Sequence, residues 1–263
     1  MRFTEIIDEE YESVSETVAR KLVSPKRDAK LEYEIMPSQS TYGEGVHALQ
    51  NSYAGKETEV PSLLWYECDG QKIVRPLTFR ENLLARVEDF ETLKNNDGST
   101  RSMEERLRFF NTYLVSCTGI VYSSKDKDDF VIIPICKELI TIPKNFSNEY
   151  LSINYASLQS KGFSLKRSQA KYNQMLTESE VISHPAWIVS VEEDITLLCI
   201  YTSIVFKYSS SRKGKLMGFY LGNQIEKDQL RSLFINNRGN GSKANGNYIL
   251  NLDSVFSRAT SPL

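Results

Sequence analysis

Apolar positions near the start of the chain recur every three or four residues, at Ile6, Ile7, Tyr11, Val14, Val18 and Leu22. That spacing predicts a helix over residues 4–22, entered at Thr4 and carrying Asp8, Glu9 and Glu10 in its early turns. The alternation in residues 31–36 (LEYEIM) predicts a short half-buried strand ending at Pro37. Residues 38–62 hold Gly43, Gly45 and Gly55 without a clear period and read as a long loop, long enough to suggest a functional segment. Two apolar-rich arms then flank Asp69-Gly70, a strong signal for a hairpin tip.

The clearest helix follows. Thr78 with Glu81 forms a capping box, and Leu83, Leu84, Val87, Phe90 and Leu93 supply one apolar face. A second box, Ser102 with Glu105, precedes Leu107, Phe110 and Leu114, so the two segments predict an αα-hairpin. Beyond residue 117 the period shortens. Residues 119–135 read as two strands around a polar turn, residues 139–143 as a third, and Thr177 with Glu180 as a third capping box. Residues 184–206 carry both β-branched content and a helical stripe. Leu197, Leu198, Tyr201, Ile204 and Val205 favour a helix for the second half of that stretch. Residues 216–222 read as a strand, 226–235 as a short helix, 236–247 as an Asn/Gly loop, and 248–259 as one or two closing strands.

The expected fold class is therefore α+β. N-terminal helices include the αα-hairpin, antiparallel or mixed sheet elements follow, and further helices occupy the later part. An acidic, helix-rich part (residues 1–117) precedes a mixed part with basic loops (residues 118–263), as two units or one continuous domain.

Composition narrows the class. With 40% hydrophobic and 25% charged residues in 263, the chain is neither disordered nor collagen-like. The longest strongly apolar run, residues 195–206, is shorter than the roughly 20 residues a spanning helix needs. No secretory leader pattern opens the sequence, and Cys68, Cys117, Cys136 and Cys199 are widely spaced in apolar settings. Reduced thiols and a cytoplasmic location are expected.

Chemical motifs are sparse. His47 and His184 are the only histidines and no paired-cysteine spacing exists, so no zinc framework is expected. Phosphate-cradling glycine motifs are absent. Cys117 lacks a nearby base and reads as a core thiol. Asp8 with Asp28 and Lys30, Glu67 and Asp69 with Lys72, and the Glu192–Asp194 run offer carboxylates but no convincing metal or acid–base pair. No catalytic residue and no cofactor are assigned.

Charge is distributed unevenly. Residues 1–117 hold 15 Lys+Arg against 21 Asp+Glu, whereas residues 161–246 hold 12 against 7. Lys166, Arg167, Arg212, Lys213, Lys215, Arg238 and Lys243 are the candidate anion-binding residues, with Tyr208 and Tyr220 as candidate stacking rings. The expected function is that of a non-enzymatic or accessory protein binding an anionic partner, nucleic acid foremost. A divalent-metal phosphodiesterase and a protein-interaction module binding an acidic protein are the alternatives. No membrane partner is expected, and the sequence carries no signal for an oligomeric state.

Overall fold

The hydrophobic pattern resolves into a curled mixed sheet covered on both faces. The structure, a computed structural model, describes residues 32–56, 64–95, 97–209, 214–222 and 225–260. The expected helix over residues 4–22, together with Asp8, Asp28 and Lys30, lies outside them, as do Arg212 and Lys213.

In chain order the elements are β1 (Glu32–Ile35), α1 (Tyr42–Ser52), β2 (Trp65–Cys68), β3 (Gln71–Val74), α2 (Phe79–Glu91) and α3 (Met103–Arg106). Next come β4 (Leu114–Tyr122), β5 (Asp129–Ile133), α4 (Lys137–Ile140), β6 (Leu151–Ser152), α5 (Tyr155–Gln159) and β7 (Phe163–Lys166). The chain then forms α6 (Glu178–Ile182), α7 (Pro185–Ser190), α8 (Ile195–Tyr208), β8 (Phe219–Tyr220), β9 (Gln229–Ile235), β10 (Ala244–Asn245) and β11 (Ser257–Thr260). The main sheet runs β7-β5-β4-β9-β10-β8, with β6 also on β9. Only β10 and β8 pair in parallel within it. Smaller ladders join β1 to β11 and β2 to β3. No helix among the described residues is long and apolar enough to cross a membrane.

Two cores flank the sheet. On one face Ile120, Phe130, Ile132, Leu233 and Ile235 pack with Leu83 and Val87 of α2 and with Trp187, Leu198 and Tyr201 of α7 and α8. On the other, Val121, Val131, Ile133 and Leu230 meet Tyr42 and Val46 of α1, Leu139 of α4 and Phe256. A strand covered on both sides needs apolar residues at successive positions, which is why all nine residues of β4 are buried. Residues from both sides of position 117 contribute to each core.

Several expectations are met. The Asp69-Gly70 tip joins β2 to β3, and all three capping boxes form. Others need correction. The second arm of the αα-hairpin is one helical turn, α3, followed by a 3-10 turn at Phe109–Asn111, and Leu114 already belongs to β4. Residues 139–143 do not form a strand, because Cys136 opens α4. Residues 229–235 are a strand rather than a helix. Leu230 and Phe234 enter one core while Leu233 and Ile235 enter the other, and that double-sided burial imitates helical spacing. Residues 38–62 are not all loop: α1 is capped by Thr41, whose hydroxyl accepts from the Glu44 amide at 3.2 Å. Its glycines serve close approach. A Cβ on Gly43 would stand 2.5 Å from the Pro143 carbonyl, and one on Gly45 2.2 Å from the Phe256 ring.

Arg86 of α2 is fully buried, and among the described residues none of its hydrogen-bond acceptors is a carboxylate. Its guanidinium donates to Tyr201 Oη at 2.7 Å, to Thr112 O at 2.6 Å and to Asn236 O at 3.1 Å. It also lies 5.7 Å from the Phe110 ring centre. Arg86→Met should destabilise the fold by about 3–5 kcal/mol, since it strands a buried hydroxyl and several carbonyls together. Chemical denaturation with an unchanged slope measures this, and Leu83→Ala, a cavity-forming change at a fully buried site, should cost about 2–5 kcal/mol on the same scale.

Candidate functional site

Most of the described basic residues of the later part fall into two groups. Around β7 the lysines pair with carboxylates. Lys161 pairs with Glu138 at 3.3 Å, Lys166 with Asp129 at 3.5 Å and Lys171 with Glu180 at 2.5 Å. Arg167 is half-buried. It donates to the Gly222 carbonyl at 2.6 Å and lies 5.6 Å from the Tyr122 ring centre. That bond links the segment leaving β7, one margin of the sheet, to the segment leaving β8, the other. The Asn173 amide adds a bond to the Phe219 carbonyl at 2.9 Å, and Leu176 exchanges two bonds with Leu216.

The second group lines the exit from β9. Asn237 caps a 3-10 turn at Arg238–Asn240, and Gly241 ends it in the left-handed region at φ 73°. From there the backbone is pinned at successive points. Met217 N donates to Gly241 O at 2.8 Å, Asn236 N to Lys243 O at 2.9 Å, and Gly246 N to Tyr220 O at 2.8 Å. Tyr122 Oη donates to Gly246 O at 2.8 Å and accepts from Gly222 N at 3.2 Å. This segment displays Lys243, whose ammonium lies 5.1 Å from the centre of the half-buried Tyr220 ring, and the exposed Asn240 and Asn247. Lys215 is exposed beside Leu216.

Arg238 and Tyr208 point elsewhere. Arg238 donates to the Tyr208 carbonyl at 2.9 Å, and the Tyr208 ring packs 5.4 Å from that of Phe90. The structure thus joins Tyr220 with Lys243 but engages Tyr208 in the core of the α2–α8 contact. One cation was not selected from the sequence. Arg231 of β9 donates from Nε to Gln229 at 2.7 Å, from Nη1 to Asn247 Oδ1 at 3.0 Å, and lies 5.6 Å from the Tyr150 ring centre. It was hidden within a segment that reads as a helix.

The remaining candidates are structural. Cys117 sits within β4, where burial pushes its thiol up to about 12 and its Sγ donates to Pro76 O at 3.1 Å. Glu192 and Glu193 occupy left-handed turn positions, and Asp194 caps α8 while accepting from Arg80 at 2.6 Å. Glu67 and Lys72 face each other across the hairpin. Among the described residues, no three His, Cys, Asp or Glu side chains are grouped to hold a metal ion.

His184 lies beneath β8, 4% exposed, stacked on Phe219 at 5.9 Å and edge-on to Tyr172 at 4.9 Å. Its Nε2 bonds to the Lys171 carbonyl at 3.1 Å, which assigns the proton to that nitrogen and leaves Nδ1 buried without a partner among the described residues. Burial lowers its pKa from 6.5, so the neutral ring is favoured in the folded state. The unfolded chain takes up this proton first as pH falls below 6.5, so stability should decline from there towards the folded-state value. In His184→Gln, denaturation midpoints measured between about pH 7 and 5 should show a shallower decline.

No family model matches the chain, and no curated protein does. A solved structure described as "Accommodation of massive sequence variation in Nanoarchaeota by the C-type lectin fold" is similar to it with a TM-score of 0.54. The two are 12% identical, and the match covers 89% of this chain and 98% of that one. The likeness is one of fold.

Proposed function

We propose that this chain is a non-enzymatic recognition protein whose binding surface is formed by residues 236–247, β8 and the adjoining residues 214–217. The supporting observation is the pairing of a closely pinned backbone with the exposed Lys215, Asn240 and Asn247 and the half-buried Tyr220 and Lys243. Such a surface is ordered before its partner arrives, so little freedom remains to be lost on binding. Its side chains combine cations, amide groups and one ring, which suits an anionic partner, and nucleic acid best accounts for the ring beside the ammonium.

Fluorescence anisotropy with single- and double-stranded DNA and RNA at about 50 mM salt tests this, and binding should weaken steeply as salt rises. Replacing Lys215 and Lys243 by Ala should flatten the log-affinity against log-salt slope by up to about two. Tyr220→Ala should cost about 1–3 kcal/mol per stacked base, chiefly with single strands. Absence of binding at micromolar protein rejects the nucleic-acid partner.

The C-type lectin likeness favours a second reading, in which this surface tolerates changes of side chain as the similar protein's fold does. Its backbone is held largely by main-chain bonds, so identity at Tyr220, Asn240 and Lys243 is not needed to maintain it. Replacing these three residues together should change stability by less than about 1 kcal/mol in urea denaturation, against the larger losses of core substitutions.

A further inference from the structure

A polar cavity of about 590 Å³ opens between β1, the last turn of α2 and the segment that follows it, with Glu32, Glu34, Asp89, Lys94, Arg101 and Arg108 in its wall. These residues come from separate elements. β1 alternates, so Glu32 and Glu34 are exposed while Tyr33 between them is buried in the core. After α2 the chain doubles back: Lys94 bridges to Thr100, and the Arg101 amide donates to the Leu93 carbonyl at 2.9 Å. The backbone that carries Lys94 is thereby fixed.

Asp89 is the pivot of the cationic wall. Its side chain and that of Arg101 are more than nine-tenths buried. Oδ2 accepts from Arg101 Nη2 at 3.1 Å, and Oδ1 from Arg108 Nη2 at 2.9 Å. Arg101 also donates to the carbonyls of Asp89, Thr92 and Glu105. One carboxylate offsets one guanidinium, so two arginines on Asp89 leave an excess positive charge. It falls on Arg108, which is 55% exposed and whose Nη1 has no acceptor among the described residues. Lys94 is exposed and has no carboxylate partner among the described residues. Asp97 is turned onto Ser99, whose amide and hydroxyl donate to its Oδ1 at 2.9 Å and 2.7 Å. β1 brings the opposite sign. Glu34 accepts from Arg258 through Oε2, and its Oε1 has no donor among the described residues. The cavity thus presents open cationic donors on one element and open carboxylate acceptors on another.

We propose that this cavity binds a di- or tripeptide with free ends, its carboxylate held by Lys94 and Arg108 and its ammonium by Glu32 and Glu34. A ligand of one sign would meet repulsion from one of the two walls, whereas a zwitterion satisfies both. A space of 590 Å³ is about 10 Å across, and an extended chain advances ~3.3–3.6 Å per residue, so two or three residues fit. The site uses none of the residues of the recognition surface and does not rest on that reading.

The test is a titration of the folded chain with trialanine at about 10 mM salt, where exposed charges are little screened, read by the amide NMR shifts of Glu34, Lys94 and Arg101. N-acetyl-trialanine and trialanine amide each lack one charged end and should bind about tenfold more weakly or worse. Lys94→Gln should weaken trialanine by a similar factor yet leave the affinity for trialanine amide unchanged. Glu32→Gln should weaken trialanine and leave N-acetyl-trialanine unchanged. Both residues are exposed, so both variants should fold, which circular dichroism checks. A merely structural role for either residue would weaken free and blocked peptides alike. That result, blocked peptides binding as tightly as the free one, or no shift at 10 mM trialanine overturns the proposal.

Discussion

The buried guanidinium of Arg86 is the interaction on which the arrangement of the molecule turns. Taking a cation out of water is costly, and burial pushes this one's pKa down. The offset comes from dipoles: the Tyr201 hydroxyl and the carbonyls of Thr112, Ile235 and Asn236. Those acceptors belong to α8, to the entry of β4 and to the exit of β9, while the arginine belongs to α2. One side chain therefore fixes where two helices and two central strands meet. The acceptors are directional, so the elements must reach a narrow set of positions before the charge is satisfied.

The surface around residues 236–247 inherits that order. Its root, Asn236, is held by Arg86 from beneath, and its far end is held by the Tyr122 hydroxyl at Gly246. Between them the main chain is tied to Gly218 and Tyr220 beside β8. An Asn/Gly-rich run that reads as a flexible connection is consequently a framed one. The frame lies in distant partners, and local composition carries no record of them.

Where local chemistry decides the outcome, the sequence was legible. Capping boxes at Thr78, Ser102 and Thr177, the Asp69-Gly70 turn, the β4–β5 pair and the helical stripe of α8 all follow from residues near one another in the chain. Misreadings arose where tertiary contacts override local preference. Gly43 and Gly45 mark tight packing inside α1 rather than a loop, and two-sided burial gave β9 an ambiguous period. The candidate site was legible in part. Tyr220 and Lys243 meet through the β8–β10 pairing. Carboxylates that pair with Lys161 and Lys166 come from elsewhere in the chain, which a count of basic residues within one segment does not register.

The pairing of β1 with β11 carries a kinetic consequence. Among the described residues Glu32–Ile35 pairs with Ser257–Thr260, and β4 finds one of its own partners in β9, so two ladders join distant stretches of chain. Closing such large loops loses entropy before the contacts can compensate, which places the fold among slow, high-contact-order topologies. During synthesis, β1 must wait for nearly all the described chain to emerge. Until then its hydrogen-bonding groups stand open to other strands, and the acidic residues Glu32 and Glu34 within it discourage edge-to-edge association over that interval.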